Sequence, residues 1–212
     1  MKRYLIVGAG GFGREVLSWA LAMANPEWNI VGFLDSNTSA LDGKNMPLGI
    51  VGDPATWEPQ SDEVFLCGIG DSGIRLRVCG ELRERGARFV SVVHPTVTLG
   101  LNASIGDGCV VAPHAVISVN ATLDDFVLVN IAASVGHDTV VGAGATISSH
   151  CDLMGYARLG RGAFMGSHSC VLPSVIVGEF AIVGAGSAVV SKVAARTTVM
   201  GVPAQLLFKH EE

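Results

Sequence analysis

The chain has 212 residues, of which 49% are hydrophobic and only 16% charged, and its formal net charge is −5. That length suits one or two domains, and an acidic balance without any basic cluster argues against nucleic acid as a partner. Mean hydropathy is high at +0.46, yet no uninterrupted apolar run reaches the about 18 residues of a transmembrane helix, so no membrane span is expected.

The first residues, Met1-Lys2-Arg3 followed by YLIVGAGGF, superficially resemble a secretory leader. Arg14 and Glu15 interrupt the apolar stretch and no small-residue cleavage pattern follows, so a first buried strand is the expectation. The five cysteines are an odd number without CxxC spacing. They read as small core residues in a reducing, cytoplasmic setting.

Residues 1–90 alternate strand and helix patterns. KRYLIVG is a buried strand, Gly8–Gly13 a glycine-rich turn, REVLSWALAMA a helix, and NIVGFLD a second strand ending at Asp35. Residues 36–60 read as a loop, EVFLCGIG (63–70) as a third strand, and IRLRVCGELRERG as a second helix ending near Gly86, with RFVSVV closing the segment. Such alternation predicts a parallel α/β sheet, here a Rossmann-like half domain. Gly8-x-Gly10-x-x-Gly13 lies between strand and helix, with Asp35 ending the next strand, which is the dinucleotide fingerprint in its usual context. Glycines let a backbone approach phosphate, the helix N-terminus supplies amide donors, and Asp35 is placed for a ribose hydroxyl. About 90 residues, however, make only half of a doubly wound sheet, enough for a mononucleotide. A nucleoside diphosphate carrying a sugar fits best. A dinucleotide and a purely structural turn are the alternatives.

From residue 93 onward the texture changes. Every sixth residue from Leu99 to Val189 is aliphatic, sixteen positions in unbroken phase, and Val93 extends the series. Neither a helix of period about 3.6 nor a strand of period about 2 does this. A hexapeptide repeat signals a parallel β-helix of three hexads per coil, about five coils here, over residues 93–212 with RTTVMGVPAQLLFKHEE as a terminal cap. The position two before the knob is usually small (Ala103, Cys109, Ala115 and most of their successors). Glycine often follows the knob (Gly100, Gly106, Gly136, Gly142), where a tight corner is expected to need positive φ.

Stacked coils turn spacing into geometry. His137 is followed by Asp138, which can orient the imidazole, and lies near a corner where a side chain faces outward. One coil on stands Gly155, whose bare amide should lie about 4.8 Å along the prism axis. A base beside a free amide suits acyl transfer: proton removal plus oxyanion stabilisation. His114, His150 and His168 share another column, but the third ligand of a familiar metal-binding hexapeptide pattern is lost because position 155 is Gly, so no metal is expected.

GAGGFGREV, FLDS (33–36), GIGDSGIR (68–75), SVGHDTVVG (134–142), FMGSHSCVLP (164–173) and MGVPA (200–204) together resemble the sialic-acid O-acetyltransferase and bacillosamine N-acetyltransferase group of bacterial sugar acetyltransferases. The resemblance spans nearly the whole chain. It implies a left-handed β-helix, acetyl-CoA as co-substrate, and a homotrimer with sites between adjacent prisms. It implies His137 as catalytic base, Asp138 as its acidic partner (relatives often carry Glu there) and Gly155 as the oxyanion amide. Thr146, Ser167 and Ala185 are the implied acetyl-CoA contacts, and Gly10, Gly11, Phe12, Asp35, Ser36 and Gly70 the implied nucleotide-sugar contacts. The expected activity is N-acetylation of the 4-amino group of a UDP-linked 4-amino-4,6-dideoxy sugar. O-acetylation of a sialic acid, and a non-catalytic nucleotide-binding trimeric scaffold, are the rivals. An oxidoreductase is weakest.

Overall fold

The computed structural model describes residues 2–23 and 28–210. Its contacts divide into two compact units, Met1–Val92 and Val93–Glu212.

The first unit is a parallel sheet of β1 (Arg3–Val7), β2 (Asn29–Leu34), β3 (Ile50–Gly52) and β4 (Glu63–Cys67) in the order β3-β2-β1-β4. Helices α1 (Gly11–Ala22) and α2 (Ser72–Glu84) connect strands. The sheet centre is apolar on both faces: Leu5, Ile6, Val7, Phe33, Leu34, Phe65 and Leu66 are fully buried, as a parallel sheet covered by crossover helices requires. Several boundaries differ from the sequence reading. Helix α1 starts at Gly11, three residues before the predicted start, because the glycine turn itself supplies the N-cap, Gly10; Ala24, the last residue of the predicted helix, lies outside the described residues. Helix α2 starts at Ser72 because the Asp71 carboxylate accepts from Ile74 N–H at 2.8 Å and caps it. The third predicted strand stops at Cys67 rather than continuing to residue 70. The region 36–60 is not all loop: β3 pairs with β2 through Phe33↔Ile50 and Leu34↔Gly52. Two aliphatic residues between Gly49 and Gly52 carry too little pattern to reveal a strand.

The second unit is a left-handed β-helix of two-residue strands. Face I has six strands, from Thr98–Leu99 to Ala188–Val189; face II has five, from Ser104–Ile105 to Ile176–Val177; face III runs from Val92–Val93 to Ile182–Val183 and continues into a C-terminal hairpin, Thr197–Gly201 with Ala204–Lys209. Ladder partners are one coil apart, as in Val135↔Leu153 and Thr146↔Phe164. From Val111 to Val189 every knob is at most 2% exposed, and the small positions Ala115, Ala121, Ala133, Ala145, Ala157, Ala163 and Ala181 fill the space between them at 0%. The first knob departs from expectation: Leu99 is 51% exposed, because it belongs to the end coil. This contrast is testable. Leu123→Ala, at a fully enclosed knob, is expected to cost about 2–5 kcal/mol. Leu99→Ala, in the same phase, is expected to stay within about 0.5 kcal/mol in urea denaturation.

The corner glycines also need correction. The left-handed position falls three residues after each knob, and non-glycine residues usually hold it: Asn102 (φ 59), His114 (φ 62), Asn120 (φ 56), Asp138 (φ 57), His150 (φ 59) and Tyr156 (φ 60) among them. The glycine directly after the knob serves close approach instead. A Cβ on Gly136 would lie 2.6 Å from Gly155 N, and one on Gly166 2.6 Å from Ala185 N, so the next coil leaves no room for a side chain there. Four cysteines are buried core residues, as read from the sequence, but Cys170 is only half-buried because it faces outward on face I.

Candidate active site

In the first unit the chain leaves β1 at Val7 and turns through Gly8 at φ +100. Helix α1 then packs down on that turn so tightly that a Cβ on Gly13 would sit 1.9 Å from the Gly8 carbonyl oxygen. Gly10, at the helix N-cap, faces open space: a Cβ there would meet nothing within 4 Å, and no side chain caps the helix. A cleft of about 380 Å³ opens here. Gly10, Gly11, Phe12, Asp35, Ser36 and Gly70, all six candidates from the sequence, line it, together with the apolar Leu34, Pro54, Ile74 and Val78. An uncapped helix N-terminus beside bare backbone favours an anion such as a diphosphate.

Asp35 does more than the sequence suggested. Its Oδ2 accepts from Ala9 N–H at 2.7 Å and its Oδ1 from Asn37 N–H at 2.9 Å, so it ties the glycine turn to the end of β2. A carboxylate has about four acceptor sites, which leaves capacity for a ligand hydroxyl. Arg75 was not foreseen. It is 1% exposed, and its Nη1 donates to the carbonyls of Ile69 (2.9 Å) and Gly70 (2.8 Å), fixing the loop that brings Gly70 to the cleft. The available signal was periodicity: Arg75 shares the buried stripe of α2 with Cys79 and Leu82.

In the solenoid, His137 and Gly155 stack one coil apart on the edge between faces I and II. The imidazole is about half exposed, and its Nδ1 lies 2.9 Å from Asp138 Oδ2. The other carboxylate oxygen accepts from Asn120 Nδ2 at 3.2 Å. The hydrogen bond to His137 is the main cause holding the Asp138 carboxyl below the usual carboxylate range, with Asn120 adding to it. A carboxylate depressed in the folded state stays ionised through neutral pH, and its grip on the imidazole weakens only as pH falls below the ordinary carboxylate range. An ionised carboxylate can only accept, so Nδ1 carries the proton and Nε2 presents its lone pair. Tyr156, from the next coil, packs perpendicular to the imidazole with ring centroids 5.1 Å apart at 89°.

Nε2 lies over Gly155, where a Cβ would be only 2.5 Å from it. Gly155 is buried beneath the ring; its carbonyl accepts from Ser174 N–H at 3.0 Å, while its own N–H meets no acceptor among the described residues. The pair therefore offers a lone pair and an unused amide side by side. Chemically, that is a proton acceptor and an oxyanion donor.

The acetyl-CoA candidates occupy other places. Ser167 and Ala185 stack one coil apart, with Gly186 N–H donating to the Ser167 carbonyl at 2.9 Å, but on the edge between faces III and I. Thr146 lies on face III and is 5% exposed. Within one chain these residues do not share an edge with His137 and Gly155; face I separates Ser167 and Ala185 from them. His150 and His168 stack beside Ser167 with centroids 4.9 Å apart at 10°. Asn120 and Tyr156 were overlooked, although each is eighteen residues from Asp138 and the register arithmetic that linked His137 to Gly155 reaches both.

The chain is similar to several known proteins. Residues 3–82 match the family model described as the PglD N-terminal domain. The chain is 28% identical over 158 residues to a GDP-perosamine N-acetyltransferase of Escherichia coli O157:H7, covering 74% of this chain and 72% of that protein. The acetyltransferase domain of PglB from Neisseria gonorrhoeae FA1090 superposes with a TM-score of 0.89 at 30% identity, over 98% of this chain and 100% of that one. It has also been solved with acetyl coenzyme A. PerB from Caulobacter crescentus, in complex with CoA and GDP-perosamine, superposes with a TM-score of 0.88 at 25% identity over 98% of each chain.

Proposed function

Because this chain belongs to the sugar N-acetyltransferases of the hexapeptide-repeat superfamily, we propose that it transfers the acetyl group of acetyl-CoA to the 4-amino group of a nucleotide-linked 4-amino-4,6-dideoxy sugar. The observation that carries the reading is the edge pair of His137, with Nδ1 held by Asp138, and the unused Gly155 amide beneath Nε2. The glycine cleft over Gly10–Phe12 holds the nucleotide diphosphate. The neutral sugar amine attacks the thioester carbonyl carbon. As the C–N bond forms, the amine proton passes to His137 Nε2, and Gly155 N–H stabilises the oxyanion. The tetrahedral intermediate then collapses; the C–S bond breaks, and the departing thiolate takes the proton back from the imidazolium, leaving amide and CoA.

The homotrimer that the family resemblance implies is part of the same reading. The acetyl-CoA candidates Ser167 and Ala185 lie on a different edge from His137, so a second copy would bring its own edge to the base. Leu101, Val119, Met154 and Tyr156, all near His137 in register, leave an apolar stripe for that contact at 80%, 41%, 37% and 58% exposure.

The acceptor is UDP-linked in the reading taken from the bacillosamine resemblance. The perosamine relatives support a GDP-linked acceptor as the second reading. The test is CoA release with acetyl-CoA and UDP-, GDP- or dTDP-linked 4-amino sugars, with sialic acid as the hydroxyl acceptor. Turnover with the amino sugars and none with sialic acid is expected. Turnover with sialic acid alone would sink the proposed N-transfer, and release with none of them would favour a scaffold.

A further inference from the structure

The corners between faces I and II carry a hydrogen-bonded side-chain ladder that runs along the prism into the base. Asn102 Nδ2 donates to Asn120 Oδ1 at 3.2 Å, Asn120 Nδ2 donates to Asp138 Oδ1 at 3.2 Å, and Asp138 Oδ2 meets His137 Nδ1 at 2.9 Å. The two amide steps each span one coil, and the last joins neighbouring residues. Asn102, Asn120 and Asp138 hold left-handed backbone at φ 59, 56 and 57, a conformation that asparagine and aspartate tolerate better than most residues. That shared conformation aims the three side chains along one line.

We propose that Asn120 is a positioning residue for the acetyl transfer, acting on His137 through Asp138. The inference rests on the proposed role of His137 as base. An Asp138 carboxylate bound only by His137 could swing about its own side-chain torsions and carry the imidazole with it. Asn120 engages the second oxygen, so the carboxylate plane is set from both sides. Asn102 accounts for the direction of this bond. By donating to Asn120 Oδ1 it orients the Asn120 amide with Nδ2 toward Asp138, so that Asp138 meets a donor rather than an acceptor. The Tyr156 ring, packed perpendicular to the imidazole from the next coil, adds a second contact that limits its movement. The ladder thus turns an exposed histidine into a base of fixed aim, and a base contributes only when its lone pair lies within hydrogen-bond reach of the proton it removes.

The test is a double-mutant cycle on the full chain. Asn120→Gly removes the side chain while suiting the left-handed backbone. It is expected to lower kcat roughly 3- to 30-fold, below the about 10- to 150-fold that full loss of a hydrogen bond to a charged group carries, because Asn120 acts only through Asp138, with the KM for acetyl-CoA unchanged within about twofold and the melting temperature near that of the parent. Asn102→Gly should act in the same direction but less. Asn120→Asp, which keeps size and backbone preference but sets two carboxylates together, serves as a second variant and should lower kcat at least as far as Asn120→Gly. In an Asp138→Asn background, Asn120→Gly should have no further effect on kcat, because the group it acts through is already altered. Parent-level kcat in Asn120→Gly and Asn120→Asp would overturn the proposal. So would a loss that adds fully to that of Asp138→Asn, which would place Asn120 in some other role. His137→Ala, run alongside, separates the two levels: an active His137→Ala enzyme refutes the base, whereas an inactive one beside a fully active Asn120→Gly refutes only the ladder.

Discussion

Gly155→Ala is expected to lower kcat about 100-fold while leaving the fold intact. A Cβ at this position would meet the His137 ring at three atoms, 2.5 Å from Nε2, 2.7 Å from Cε1 and 3.0 Å from Cδ2. No backbone atom is among these nearest contacts, so the solenoid can keep its register while a half-exposed side chain gives way. The imidazole must move off the Gly155 amide, and a displacement of about 1 Å can cost about 100-fold in rate. His137→Ala removes the base altogether and is expected to lose about 10²- to 10⁴-fold. Both variants should bind acetyl-CoA about as well as the parent, because the candidate acetyl-CoA contacts occupy another edge. The measurements are kcat by CoA release, acetyl-CoA affinity by calorimetry, and circular dichroism. If Gly155→Ala turned over at the parental rate, the imidazole and the amide would not be working on one thioester.

The second large effect separates two glycines of one motif. Gly13→Ala is expected to unfold the first unit. Its Cβ would lie 1.9 Å from the Gly8 carbonyl oxygen and 2.9 Å from its carbon, both backbone atoms of the turn after β1, so no rotamer change relieves the clash. Overpacking against side chains typically costs about 1–3 kcal/mol, and a collision with backbone should exceed that. Gly10→Ala meets nothing within 4 Å, and the Gly10 backbone at φ −66 and ψ −168 is open to alanine. Its methyl group points into space that a phosphate would need. The expected results are a lost thermal transition of the first unit for Gly13→Ala, and for Gly10→Ala a parental melting curve with the KM for the nucleotide sugar raised about tenfold or more. Equal melting curves for the two variants would contradict the packing described.

The asymmetry between Gly10 and Gly13 shows where sequence reading stops. Gly-x-Gly-x-x-Gly presents the three glycines alike, yet one is held by backbone packing and another by the needs of a ligand. The same holds in the solenoid. Glycine after the knob suggested a left-handed corner, but the left-handed residues are Asn102, Asn120, Asp138 and their register mates, and Gly136 is demanded by the neighbouring coil instead. Local pattern marks where something unusual is needed; only neighbours distant in sequence say what it is.

Much of the molecule was nonetheless written in the chain. A strict period of six, with small residues two before most knobs, permits only coils of fixed length, and fixed length places His137 beside Gly155 before any coordinate is known. The strand, glycine turn and helix that open the chain likewise determine a cleft with uncapped amides. What tertiary structure alone decided was what the side chains do at the places periodicity assigns them: Asn120 reaching Asp138, Tyr156 packing perpendicular to the imidazole, Arg75 donating to the carbonyls of Ile69 and Gly70. Periodicity determines where a backbone goes because each coil repeats the last. The direction of an individual side chain depends on torsions and partners that differ from coil to coil, and these are settled only when the coils are stacked.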